Sequence, residues 1–199
     1  MNFAKVGDLE DLINSGDSIY DDDPHVLGYN SLTYACENEH IGCVKYLLSK
    51  NVKIRDALIV SKNRDIIIEL VNAGADINYQ NISKQFALLY SVSDVYISQY
   101  LIEHGANVNL CDIYGSTPLS MACVRGNLET VKLLVKSGAQ INVCDIDGYS
   151  PFYWASELKH ISIVKYLLPY VDINPIQSST FSREIRTIIN TYIFNKKHF

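Results

Sequence analysis

An all-α solenoid of stacked helix-turn-helix units with short β-turn fingers, about five repeats with a capping helix at each end, is the fold this sequence predicts. Three observations predict it. The stretch 112–142, DIYGSTPLSMACVRGNLETVKLLVKSGAQIN, slides onto its successor with Asp112 on Asp145, Gly115 on Gly148, Pro118 on Pro151 and Ala122 on Ala155, a period of about thirty-three residues. Apolar residues recur at helical spacing in the second half of a unit, as Ile41, Val44, Leu47 and Leu48 do. Glycine follows those runs at Gly74, Gly105 and Gly138, where a left-handed helix-terminating conformation is cheap only without a β-carbon.

The bulk numbers suit one domain over 1–199, since 199 residues at 48% hydrophobic supply ample core. A formal charge of −5 and a pI near 5.5 argue against nucleic acid and against anionic membrane surfaces as partners. Apolar runs such as 66–68 and 131–135 fall far short of the roughly twenty residues that span a bilayer, and MNFAKVGDLEDL has no apolar core of a secretory signal. Five cysteines without a CxxC pair fit reduced thiols in the cytoplasm. Cys111 and Cys144 recur one repeat apart, too far for a disulfide whose Cα atoms must lie within about 7 Å.

Gly115-Ser116-Thr117-Pro118-Leu119 followed by Ala122, a helix-breaking Gly126-Asn127, the run Leu133-Leu134-Val135 and the closing Gly138-Ala139-Gln140-Ile141-Asn142 resemble the ankyrin repeat. On that frame the chain divides into an N-terminal cap (1–24), repeats at 25–53, 54–78, 79–109, 112–142 and 145–174, and a C-terminal cap (175–199).

The elements follow in order. Residues 4–19, AKVGDLEDLINSGDSI, mimic the second half of a repeat, with Gly7-Asp8-Leu9 matching Gly126-Asn127-Leu128; a solenoid needs such a cap because its end unit otherwise leaves an apolar face in water. Asp8 to Asp23 carries acids and no lysine or arginine, either a solubilising end or a dock for a basic surface. In the first repeat GYNSLTYA replaces the usual proline by Ser31 and the usual histidine by Thr33, so its helix start is expected to be less rigid than those at Pro118 and Pro151. The second repeat lacks its finger between Lys50 and Ala57 and is expected to keep two short helices, near Arg55–Ser61 and Asp65–Asn72. The third keeps helices at Phe86–Val92 and Val95–Glu103, with a polar loop, YQNISKQ, that has neither glycine nor proline. In the fifth, Phe152, Tyr153 and Trp154 replace Leu119, Ser120 and Met121; Trp154 either fills the groove between helices, the favoured reading, or stands as an exposed anchor. Pro169 closes the second helix early. A last helix, N-capped by Ser182 or Thr180, carries Ile185, Ile188, Ile189, Tyr192 and Ile193 on one face, and NKKHF is expected to fray.

Stacking buries Leu119, Ala122, Val131, Leu133 and Leu134 of the fourth repeat against Phe152, Ala155, Val164, Tyr166 and Leu167 of the fifth.

Catalytic signatures are missing: the sequence holds no Gly-x-Ser-x-Gly, Walker loop, His-Glu-x-x-His or spaced Cys/His cluster, and His40 and His160 recur at one inter-helix turn, which marks them as structural. No cofactor, metal or catalytic residue is expected. The resemblance implies instead a protein partner on a concave face of finger tips and first helices. Carried over by position, that face comprises Ile113, Tyr114, Ser116, Val124 and Arg125 in the fourth repeat, Ile146, Asp147, Tyr149, Glu157 and Leu158 in the fifth, and Val26, Leu27, Tyr29, Glu37 and Asn38 in the first. Tyr29, Tyr114 and Tyr149 are either hot-spot residues or side chains stacked along the fingers. A monomeric interaction module is the first reading of function. An adaptor recruiting a ubiquitin ligase and a self-associating assembly factor are the alternatives. Richness in Asn, Ile, Lys and Tyr with irregular repeats resembles products of AT-rich genomes, including large DNA viruses and intracellular bacteria, whose small ankyrin proteins act on host proteins; a host protein and the host cytoplasm follow from that likeness.

Overall fold

A computed structural model describes residues 30–171 and 181–198 of the chain. Among the described residues there are eleven α-helices, one short 3-10 helix and no strands, an all-α repeat fold of the solenoid class. The helices are α1 (Ser31–Glu37), α2 (Ile41–Ser49), α3 (Ala57–Val60), α4 (Arg64–Asn72), α5 (Ala87–Ser91), α6 (Val95–Glu103), α7 (Pro118–Arg125), α8 (Leu128–Lys136), α9 (Pro151–Glu157), α10 (Ile161–Leu167) and α11 (Arg183–His198). The N-terminal cap over 1–24, the acidic run ending at Asp23, and Val26, Leu27 and Tyr29 lie outside the described residues, as does the end of the fifth repeat.

The described residues form two compact units, one of 30–91 and 103–106, the other of 92–102, 107–171 and 181–198. In the first, α1 packs on α2 and α3, and α2 on α4. Leu32, Ala35, Val44, Leu47, Leu58, Ile66 and Leu70 fill its interior, an apolar burial of roughly 1.5–3 kcal/mol for each large side chain. Cys36 is buried there, and desolvation pushes its thiol up to about 12. α1 starts without proline, yet its start is well capped: Asn30 Oδ1 accepts from the Thr33 N–H at 2.9 Å and from the Thr33 hydroxyl at 3.0 Å. An Asn side chain bonding back into the first turn does the work of the missing ring, and the expected looseness is not what the cap shows.

In the second unit α7 packs on α9, α8 on α10, and α10 on α11. Leu119, Ala122, Val131, Leu134, Phe152, Ala155, Val164 and Leu167 are buried as the repeat frame requires. Leu133 and Tyr166 are only half-buried. Their place in the core goes to fully buried Thr130 and Ile163, each three residues upstream on the inward stripe. Pro169 sits in a 3-10 turn, Leu168–Tyr170, directly after α10, as expected. In α11, Ile185 and Ile189 are buried while Ile188, Tyr192 and Ile193 are half-buried. The helix extends past Asn195 to His198.

The short repeats show where length was lost. Second helices α2, α4, α6 and α8 all have nine residues. First helices range from four residues in α3 and five in α5 to eight in α7. Gly74, Gly105 and Gly138 adopt φ of 87°, 95° and 88° after their second helices, and Asn51 takes the same left-handed place, at 57°, after α2.

Candidate functional site

The fingers of the fourth and fifth repeats are built by one device. In the first, Asp112 Oδ1 accepts from the N–H groups of Tyr114 at 2.9 Å and Ser116 at 2.8 Å, while the Gly115 N–H donates to the Asp112 carbonyl at 3.1 Å. In the second, Asp145 Oδ1 accepts from Asp147 at 3.1 Å and Tyr149 at 2.8 Å, and the Gly148 N–H donates to the Asp145 carbonyl at 3.0 Å. A carboxylate folding the chain back over itself in this way makes a rigid turn. One finger is tied to the next, because the Ile146 N–H donates to the Tyr114 carbonyl at 3.0 Å. The approach is close: a β-carbon on Gly115 would stand 3.1 Å from the Asp145 Cα.

The third repeat has the same finger in different residues. Asn81 Oδ1 accepts from Ser83 and Gln85, the Lys84 N–H donates to the Asn81 carbonyl, and the Asn81 N–H donates to the Gln85 carbonyl. Lys84 takes the glycine position at φ 52°. A carboxamide replaces the carboxylate and a lysine tolerates the left-handed turn, so the loop that looks irregular in sequence is a complete finger, and the two missing residues belong to α5. In the second repeat the segment before α3 shows a single turn, Ala57 N–H to the Ile54 carbonyl at 2.9 Å, and no such Asp- or Asn-centred loop. That finger is absent.

Rigid fingers leave their tips in solvent. Ile146 is 68% exposed, Tyr114 59%, Ile113 47% and Tyr149 37%. Asp147, Glu157 and Leu158 are exposed and Ser116 is half-buried. Tyr149 stacks on Tyr153 of α9, with ring centroids 4.2 Å apart and planes 16° from parallel, so its ring is held by its own repeat. Trp154 is half-buried rather than a core residue; its indole N–H donates to Asp145 Oδ2 at 2.8 Å. Asp145 therefore fixes the finger with one oxygen and the first helix with the other. The reason Trp154 leaves the core is that its N–H needs an acceptor, and the finger carboxylate supplies it.

At the far end of the first helices, eight residues or roughly 12 Å away, sit the remaining residues of the predicted face. Val124 is half-buried, and its carbonyl accepts from His160 Nε2 at 3.2 Å. Arg125 is exposed and donates to Ser93 Oγ at 3.3 Å. Asn127 plays the part of His160 one repeat earlier, donating to the Val92 and Ser93 carbonyls at 3.1 and 3.0 Å. The histidine at 160 is thus a structural tie between repeats, as its recurrence implies. Glu37 and Asn38 are exposed at the end of α1 in the other compact unit.

Among the described residues, open grooves with volumes near 400 and 550 Å³ lie between α10 and α11. Among the described residues no three His, Cys, Asp or Glu side chains gather to hold a metal ion, and no helix is long and apolar enough to cross a membrane. Burial pushes the Cys123 thiol up to about 12, which leaves it protonated and inert at neutral pH.

Comparison with known proteins gives one family. The model described as Ankyrin repeats (3 copies) matches residues 1–81, 55–145 and 91–177. Relatives include L-asparaginase of Dirofilaria immitis, 31% identical over 119 residues, which are 54% of this chain and 20% of that protein. Ankyrin repeat and KH domain-containing protein mask-1 of Caenorhabditis elegans is 28% identical over 110 residues, 50% of this chain and 4% of its own. The ankyrin repeat protein YahD of Escherichia coli (strain K12) is 34% identical over 109 residues, 54% of this chain and 46% of its own. The chain spans less than half the length of each of these relatives.

Proposed function

The chain belongs to the ankyrin-repeat family, and from that premise we propose that it is a non-enzymatic interaction module that holds a protein partner on the finger and first-helix face of its fourth and fifth repeats. Ankyrin repeats generally mediate contacts between proteins. The observation that carries the proposal is the pair of tied fingers, whose backbones are locked by Asp112 and Asp145 while Ile113, Tyr114 and Ile146 stand in solvent. Locking exposed apolar groups before binding lowers the ordering cost of association, and tyrosine is enriched where binding energy concentrates. The partner class implied by composition is a host protein whose other contacts the module blocks, and the host cytoplasm is where it would act. The asparaginase likeness spans 20% of that enzyme, leaving four-fifths of it without a counterpart in the matched region, and the reading remains non-enzymatic.

The test is capture from host lysate with Tyr114→Ala and Tyr149→Ala combined. Truncating two hot-spot rings at about 2 kcal/mol each is expected to reduce capture at least tenfold while the melting temperature moves by only a few degrees. Undiminished capture by the double variant overturns the proposal.

A further inference from the structure

We infer that the finger and first helix of the fifth repeat receive a positively charged side chain, arginine or lysine, from a basic partner segment; the inference rests on the interaction reading above and names the partner's chemistry. Two independent features of the site point the same way.

The first is the arrangement of rings. Tyr149 and Tyr153 stack at 4.2 Å, and the Trp154 indole crosses both, 5.5 Å from Tyr149 at 72° and 5.8 Å from Tyr153 at 80°. A stacked pair meeting a perpendicular indole forms a corner of aromatic surface at a partly exposed site. The face of such a ring is negative, and a cation within about 6 Å of its centroid is attracted. The corner is held in place, because Asp145 ties the indole and the Tyr149 backbone together.

The second is charge. From Ala139 to Leu158 there is no lysine, arginine or histidine, while Asp145, Asp147 and Glu157 are acidic. Asp145 spends both oxygens on the finger and the indole, whereas Asp147 and Glu157 are exposed. Glu157 lies one turn beyond Tyr153 on α9, the spacing that sets its side chain on the same face of the helix as that ring, and after desolvation its charge is the next cause that raises the Tyr153 phenol above its ordinary range. The cations flanking this stretch lie outside it: Lys136 ends α8 and Lys159 follows Leu158 in the turn before α10. The exposed Ile146 adds an apolar contact next to the corner, so a segment alternating basic and apolar residues matches both halves.

Trp154 is the only tryptophan of the chain, so its fluorescence reports this corner alone. The full chain is titrated with short capped peptides alternating leucine with arginine, lysine, citrulline or glutamate. The arginine and lysine peptides are expected to change the emission saturably, with an effect that weakens as salt rises, and the uncharged and acidic peptides are not. Asp147→Asn with Glu157→Gln is expected to weaken the basic peptides by roughly two- to fivefold, with an unchanged melting curve as the folding control. A citrulline response equal to that of arginine, or basic peptides indifferent to the double variant, overturns the inference. Either of those results beside continued capture through Tyr114 and Tyr149 would remove the cation and leave the binding face standing.

Discussion

Gly126 is glycine for a reason that lies in the next repeat. Its φ is 72°, and a β-carbon built there would stand 2.5 Å from Cε1 of the His160 imidazole, whose Nε2 is bonded to the Val124 carbonyl. Gly138 has a similar φ, 88°, with nothing within 4 Å of the same construction. Gly138→Ala therefore measures left-handed strain alone, about 1–2 kcal/mol, and Gly126→Ala adds a clash with a ring that is fixed by its hydrogen bond. Urea denaturation is expected to show the larger loss for Gly126→Ala, and His160→Asn, which copies Asn127, is expected to recover part of it through a coupling of about 0.5–3 kcal/mol. Equal losses at the two glycines would sink the account. In the sequence, His160 was legible as structural because it repeats the place of His40; its partner was not, because a main-chain carbonyl one repeat away leaves no mark on residue type. The same limit applies to Trp154, whose neighbours in sequence say nothing of an acceptor nine residues upstream.

Among elements, the fingers teach most about what a sequence reveals. Those at Asp112 and Asp145 were legible from Gly115 and Gly148, since glycine advertises a left-handed turn. The third was not: Asn81 and Lys84 make the same bonds with residue types that many other loops also use. Nor could the repeat length tell which half was shortened; only the five residues of α5 against the eight of α7 do so. The carboxylate at the base of the fifth finger has the larger share of the bonding. Asp145 accepts from two backbone N–H groups and from the Trp154 indole, whereas Asp112 accepts from two N–H groups. Hydrogen bonds to a charged group contribute about 1.5–3 kcal/mol. Asp145→Ala is accordingly expected to destabilise more than Asp112→Ala in thermal melts and, alone of the two, to shift Trp154 emission as the indole loses its acceptor. An emission spectrum unchanged by Asp145→Ala would show that the indole is held by packing with the tyrosines instead.

For the molecule as a whole, second helices of nine residues in the first four repeats and seven in the fifth, set against first helices of four to eight, suggest where stability is stored. Within each compact unit helices bury their stripes against those of neighbouring repeats, so cohesion there is a sum of local interfaces. α11 offers the sharpest place to ask, because Ile185 and Ile189 are buried and the helix packs on α10. Ile185→Asn removes buried apolar surface and leaves a buried amide without a designed partner, a loss on the order of 3 kcal/mol. Amide hydrogen exchange on the native variant is expected to accelerate most in α10 and α11, less in α9, and not measurably in α1, α2 and α4, which pack among themselves in the other compact unit. The gradient is the diagnostic feature, since a protein unfolding as one cooperative body would lose protection equally in every helix. Uniform acceleration would therefore refute nearest-neighbour cohesion. It would also remove the reason for expecting the fingers of the fourth and fifth repeats to keep their geometry when distant repeats are altered.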